Sequence, residues 1–403
     1  MLCAPVWAQQ PVRIVSLAQV LQAARENTDV LLARDALSAA QADIATADHP
    51  QVPVLSIKAS SIDLQHGIGG GNFLRDKRID KSVGVDWTWE RGHKREARTR
   101  SAVYTAQAAR ADLEEAQVLQ QLAAASAYYD LLAVQERIEH VAAIGRSAGE
   151  VAESAQRRLS AGDLSLQEAL RAGVEAQRAV ADLRAAQGER QRAEVALAQA
   201  TGFTPSLGAE AVWPSPAAGM ATAVELEARG DVRAARQRVQ AAQAALDGAI
   251  ALRQNDVTVG SSIDHLPGTS TRQVELRLQV PLNGLFGAYH FKGEIDRARA
   301  QLAQAQGQLV KVERTANADM LRQQQDLRAA AARADLYGTV IVPQARRIAA
   351  MADLAYSKRA MSLTDLIEAR RTLRNVLLED VAAKADHARA AVSWQLRNES
   401  PTP

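Results

Sequence analysis

This chain carries its own plan twice. Asp29-Val30 through Ala40-Gln41-Ala42 returns as Asp231-Val232 through Ala242-Gln243-Ala244, and Ala33-Arg34 returns as Ala235-Arg236. Further along, Ser165-Leu166-Gln167-Glu168 with Ala172 returns as Ser362-Leu363-Thr364-Asp365 with Ala369. The two correspondences have similar offsets, so a unit of roughly 200 residues has been duplicated. Any fold assigned to the chain must serve both copies. Each copy reads as helix, two strands, long helix, turn and returning helix.

The helical stretches set the scale. From about Arg95 to Leu159, and from about Ile295 to Lys358, alanine, leucine, glutamine, glutamate and arginine dominate, and Pro343 is the one proline. At ~1.5 Å per residue either stretch would reach roughly 95 Å if unbroken. The returning helices carry a seven-residue rhythm of small side chains: Ala172, Ala179, Ala186, Ala193 and Ala200 in the first copy, Ala369, Val376, Ala383 and Ala390 in the second. Such a stripe predicts a close-packed coiled-coil seam. The reversals fall at Ser160-Ala161-Gly162-Asp163 and Arg359-Ala360-Met361-Ser362, with Ser165 and Ser362 suited to cap the helices that follow.

Four segments switch to period two, expected as strands at about 53–64, 79–90, 255–265 and 272–282. In the last, Val274, Leu276, Leu278, Val280 and Leu282 alternate with Glu275, Arg277 and Gln279. Each has about the 9 to 11 residues of a tilted membrane strand, and its polar positions hold full charges, as a wet interior permits. Lys58, Asp86, Glu275, Arg277 and Gln279 are therefore the lumen-facing candidates. Trp87 and Trp89 close one strand where interfacial aromatics belong. Gly67 to Arg78 and Pro267-Gly268-Thr269-Ser270 are the expected extracellular loops.

Composition narrows the class. Hydrophobic residues make up 47% but aromatics only 4%, which favours tight helix packing over a bulky core. Basic and acidic residues, 48 against 46, are interspersed, so nucleic acid is a poor partner. The opening Met1-Leu2-Cys3-Ala4-Pro5-Val6-Trp7-Ala8 reads as the remnant of a secretory signal peptide cut after Ala8, with Cys3 a leader residue. No run approaches the ~20 apolar residues of a membrane helix, so a spanning part would have to be a closed barrel. Four strands cannot close one, which calls for oligomerisation. The expected organisation is a leader remnant over 1–8, a first repeat over 9–201, a Pro-containing linker over 202–222 and a second repeat over 223–403.

Over nearly its whole length the chain resembles the TolC family of outer-membrane factors. The duplicated layout, the strand pairs followed by long helices, and the run Tyr356-Ser357-Lys358-Arg359-Ala360-Met361-Ser362-Leu363-Thr364-Asp365-Leu366-Ile367-Glu368-Ala369 carry the likeness. The resemblance implies a mainly α fold with a small β part. Its helical hairpins would form a trimeric α-barrel, and its four antiparallel strands would contribute to a 12-stranded transmembrane β-barrel. It further implies a passive, cofactor-free conduit in the outer membrane of a Gram-negative bacterium, with outer-membrane lipid around it. The protein would be a homotrimer joined to a periplasmic adaptor (membrane fusion protein) and an inner-membrane pump of the resistance-nodulation-division class. Asp365 and Glu368 match acids at the periplasmic constriction, and Tyr356 a tyrosine that holds the closed tip. The adaptor would meet the two turns at Leu159, Gly162, Arg359 and Met361. Two positions depart from the family pattern: Asn27-Thr28 stands where Asn-Pro is usual, and Arg171 takes the place corresponding to Glu368. Trp89-Glu90-Arg91-Gly92-His93-Lys94-Arg95-Glu96 resembles the heavy-metal branch, which implies metal cations as cargo.

Other signals read as ordinary. The seven histidines show no pair at ligand spacing on one helix face and are expected to be solvated or in loops, with no metal site. Gly67-Ile68-Gly69-Gly70-Gly71 lacks the lysine-serine pair and following helix of a phosphate loop. No nucleophile or carboxylate pair stands in a catalytic context, so an enzyme is not expected. The rival readings are a soluble coiled-coil scaffold and a duct for drugs or secreted protein.

Overall fold

A computed structural model describes residues 12–72, 79–216, 226–266, 272–281 and 289–398. The leader remnant, the Pro267–Ser270 loop, most of the first loop beyond Asn72 and the position of Leu282 lie outside them. The elements are β1 (Arg13–Val15), α1 (Leu17–Ala24), α2 (Thr28–Ala47), β2 (Val54–Ser60), β3 (Asp80–Trp89), α3 (Lys94–Ser160), α4 (Leu166–Thr201), β4 (Leu207–Ala209), α5 (Gly230–Ala251), β5 (Val257–His265), β6 (Gln273–Gln279), α6 (Lys292–Leu336), α7 (Val342–Ser357) and α8 (Leu363–Asn398). Two compact units result, each drawing on both repeats. One contains residues 1–33, 113–229 and 314–403, the other 34–112 and 230–313.

In the first unit the small-residue rhythm becomes packing. Ala172, Ala179 and Ala186 of α4 and Ala383 of α8 are buried, as small side chains at a seam between helices are. A larger core forms around Tyr128, Leu131 and Leu132 of α3, Leu197 of α4 and Val392 of α8. A parallel pairing of β1 with β4 seals it, an element absent from the period-two signal because each strand has three residues. Asn27 donates from Nδ2 to the carbonyls of Gln199 (3.0 Å) and Ala200 (2.8 Å), satisfying the open end of α4. The second long helix is not continuous. A π-turn over Tyr337–Ile341 separates α6 from α7, and Pro343 falls in the first turn of α7, where its missing N–H is tolerated.

The second unit holds the sheet, antiparallel in the order β2-β3-β5-β6. Register puts Leu55, Val85, Ser261 and Leu276 on one rung and Ser56, Gly84, Ser262 and Glu275 on the next. One face is thus apolar and the other polar, as alternation requires. The sheet is open: β2 and β6 each have one partner. This corrects the expected architecture. The chain is mainly α-helical with a small antiparallel sheet; the transmembrane β-barrel and trimeric α-barrel do not appear, because four strands end at two free edges and nothing among the described residues closes them. No described helix is long and apolar enough to cross a membrane.

One histidine also departs from expectation. His387 is buried in α8, and that burial lowers its pKa. His140 lies 3.6 Å from Glu136, which also accepts from Lys384 Nζ (2.8 Å) and Trp213 Nε1 (2.7 Å). Lys384 in turn holds the buried Asp380 at 2.8 Å. Burial alone would raise the Glu136 pKa; the hydrogen bonds from His140, Lys384 and Trp213 and the Lys384 charge outweigh it and hold the group at about 2.

Lys384→Met strands two carboxylates and should cost at least ~2 kcal/mol, read from urea unfolding. Because the folded-state value lies below the unfolded one, the contribution of Glu136 is complete above its ordinary carboxylate range. It is lost as pH falls toward about 2. The difference between wild type and Glu136→Gln should therefore shrink between pH 5 and pH 2, and a pH-independent difference would count against this assignment.

Candidate conduit surfaces: the tip and the sheet

The tip belongs to the first unit, and its two reversals share one backbone solution. After α3, Gly162 adopts φ +79°, Gly162 N–H donates to Leu159 O (3.0 Å), and Asp163 N–H reaches back to Arg158 O (2.9 Å). After α7, Arg359 adopts φ +60°, its N–H donates to Tyr356 O (3.0 Å), and Ala360 N–H reaches Ala355 O (2.9 Å). Both are Schellman closures, and the left-handed residue suits glycine but strains arginine. The caps are also repeated. Ser165 accepts from the Glu168 N–H (3.3 Å) and donates to the Glu168 carboxylate (2.7 Å). Ser362 does the same with Asp365, at 3.2 and 2.7 Å.

Asp365 is thus tied into the start of α8, whereas Glu368 is exposed and lies 3.7 Å from Arg371. The structure brings Tyr356 to the other hairpin: Arg158 Nη1 donates to its hydroxyl at 2.9 Å and the guanidinium lies 5.7 Å from the ring centroid. Leu159, Tyr356 and Met361 pack around a small core of Ala155, Ala169, Ala172, Ala352, Leu363 and Leu366, while Gly162 and Arg359 are exposed.

Sequence reasoning missed the arginines of α8. Arg371 pairs with Glu175 of α4, Arg374 lies 3.6 Å from Asp182 of α4, and Arg370 reaches both Asp353 of α7 (2.7 Å) and the Ser147 carbonyl of α3 (3.1 Å). Across the hairpins, Arg171 Nη1 also donates to Thr364 Oγ1 at 3.2 Å. The Glu175 pKa is lowered, chiefly by its hydrogen bond from Arg371. The Arg370-Arg371-x-x-Arg374 spacing was the available signal, since positions three and four apart share a helix face.

In the second unit the polar sheet face gathers three of the five strand candidates. Arg277 lies between Asp86 (3.4 Å) and Glu275 (3.3 Å), while Lys58 and Gln279 are exposed elsewhere on that face. Gly260 makes the Asp86 contact possible: a Cβ there would lie 2.1 Å from the Asp86 carboxylate. On the opposite face Ile57, Trp89, Ile263, Val274, Leu276 and Leu278 are all more than half exposed, up to 81% at Leu276. Among the described residues no group of three metal-ligating side chains forms.

Two outcomes follow from this geometry. Arg359→Gly should stabilise the chain by about 1 kcal/mol and Gly162→Ala should destabilise it by a similar amount, both read from thermal unfolding. Gly260→Val should expel Asp86 from Arg277 and lower stability by at least ~1 kcal/mol, while Ser261→Val on the apolar face should not.

Residues 20–203 match the family model described as outer membrane efflux protein. No curated sequence matches the chain. Among solved structures, VceC of Vibrio cholerae is 20% identical with a TM-score of 0.75, covering 95% of this chain and 96% of its own. CmeC of Campylobacter jejuni, an outer membrane channel, is 16% identical at 0.75, covering 98% and 90%. MtrE of Neisseria gonorrhoeae, an outer membrane channel in its open state, is 17% identical at 0.73, covering 95% and 89%. At these identities the likeness is one of fold. Residues 20–203 therefore match the model of the outer membrane efflux protein family, and the chain over nearly its whole length shares the fold of these solved structures.

Proposed function

We propose that this protein is the outer-membrane conduit of a tripartite efflux system, working as a homotrimer with a periplasmic adaptor and an inner-membrane pump of the resistance-nodulation-division class. The observation that carries the reading is the two-sided sheet. A face of exposed isoleucine, leucine, valine and tryptophan is an unsuitable surface for water but a suitable one for lipid, and the charged face opposite suits a hydrated path. The protein does no chemistry; it provides a passage.

In this reading Lys58, Asp86, Glu275, Arg277 and Gln279 line the path, and Leu159, Gly162, Arg359 and Met361 meet the adaptor. Asp365 and Glu368 supply negative charge at the periplasmic mouth. Tyr356 holds the tip through Arg158, and the bonds of Arg371 and Arg374 to α4 tie the two hairpins together. Opening requires these cross-hairpin bonds to part. They are partly solvated pairs, each worth little alone, so salt should weaken them.

Cargo is read only at the level of exported small solutes. The junction from Trp89 to Glu96 is occupied by structural pairs, Glu90 with Arg98 (3.0 Å) and Glu96 with His93 (3.0 Å), while Lys94 binds Asp256 (2.7 Å). It gives no preference for metal over drug. A deletion strain grown across metals and drugs separates the two by which compounds become toxic.

In planar bilayers, alanine at both Asp365 and Glu368 should raise single-channel conductance and reduce cation preference; unchanged values would remove both from the gate. Arg158→Ala combined with Arg371→Ala should raise conductance further. Tryptophan quenching by brominated lipid should be lost in part in Trp89→Phe, and recovery of the protein in the soluble fraction without detergent would sink the conduit reading.

A further inference from the structure

We infer that the tip carries a binding site for a small, neutral, apolar molecule, a property separate from conduction. A cavity of about 270 Å³ lies among α3, α4, α7 and α8 within the first unit. Its apolar wall includes Ile144 and Val151 of α3 and Leu366, Leu373 and Leu377 of α8. The space exists because Ala143, Ala148, Ala172, Ala179 and Ala349 line it where longer side chains would fill it. The space is about half open to solvent, so an apolar occupant binds by covering aliphatic wall that water otherwise wets.

Charge decides what that occupant is. The arginine charges at the edge of the cavity are each paired with an acid, Arg370 with Asp353, Arg371 with Glu175 and Arg374 with Asp182, while Arg371 Nε is buried without an acceptor. An entering ion would lose its water and find partners already committed to one another. A neutral hydrocarbon loses nothing of that kind. Size narrows the class further, because an aliphatic cavity of about 150 Å³ accepts benzene. The larger volume here suits two fused aromatic rings. Helices of both hairpins contribute walls, so an occupant would bridge the two hairpins.

The inference is tested on the full chain. Xenon-pressurised crystals should show xenon beside Ile144, Val151 and Leu366, and xenon elsewhere in the molecule with none at this position overturns the proposal. On protein held in amphipol, naphthalene should raise the unfolding temperature by a few degrees, as ligand linkage requires. That shift should vanish in Ala148→Leu and in Ala349→Leu, two variants that fill the same space from different helices. A naphthalene shift of undiminished size in either folded variant would place the hydrocarbon elsewhere and overturn the site. Neither arm reads conductance, so failure here leaves the conduit reading standing, and failure of the conduit reading leaves this site standing.

Discussion

Close approach between helices is the constraint on which the rest of this structure depends. Ala172, Ala179 and Ala186 recur every seven residues on α4 and are almost wholly buried, and Ala383 of α8 has no exposure at all. A methyl group at such a position lets helices draw together without interlocking large side chains. Long helical arms held mainly by small contacts are well packed yet have few deep anchors. The anchors are concentrated instead in the cluster around Tyr128, Leu131 and Leu197 and in the network joining Glu136, Lys384, Asp380 and Trp213.

At the tip the same economy of packing hands control to polar groups. Its apolar core consists mostly of alanines and two leucines, so the bonds between hairpins determine how readily they separate. Those bonds are arginine-centred, and a guanidinium with several donors can hold more than one partner at once, as Arg370 does. The side-chain caps at Ser165 and Ser362 fix where each returning helix begins, which in turn fixes the height of Glu175, Arg371 and their neighbours.

The two hairpins are alike in backbone and different in detail. Gly162 meets the left-handed turn without strain where Arg359 does not, Arg171 stands opposite Glu368, and the first arm is one helix where the second is divided by a π-turn. The repeated cap and turn residues made this tip plan readable in the sequence, because local backbone chemistry acts over four or five residues. The arginine bonds were not readable: their partners lie up to 223 positions away, and no periodicity signals which acid an arginine will find. The β1–β4 pair escaped notice because three residues are too few to show alternation.

What the sequence determined by itself was local: period-two segments that became β2, β3, β5 and β6, a seven-residue seam, caps at two turns, and a duplicated order of elements. Each rests on side-chain spacing that acts within a few residues. Tertiary structure alone decided that the sheet ends in open edges, that Arg277 crosses Gly260 to reach Asp86, that His387 is buried, and that five alanines leave a cavity at the tip. Those outcomes depend on which distant segments share space, and burial, closure and charge pairing are properties of that sharing and not of any one stretch of chain.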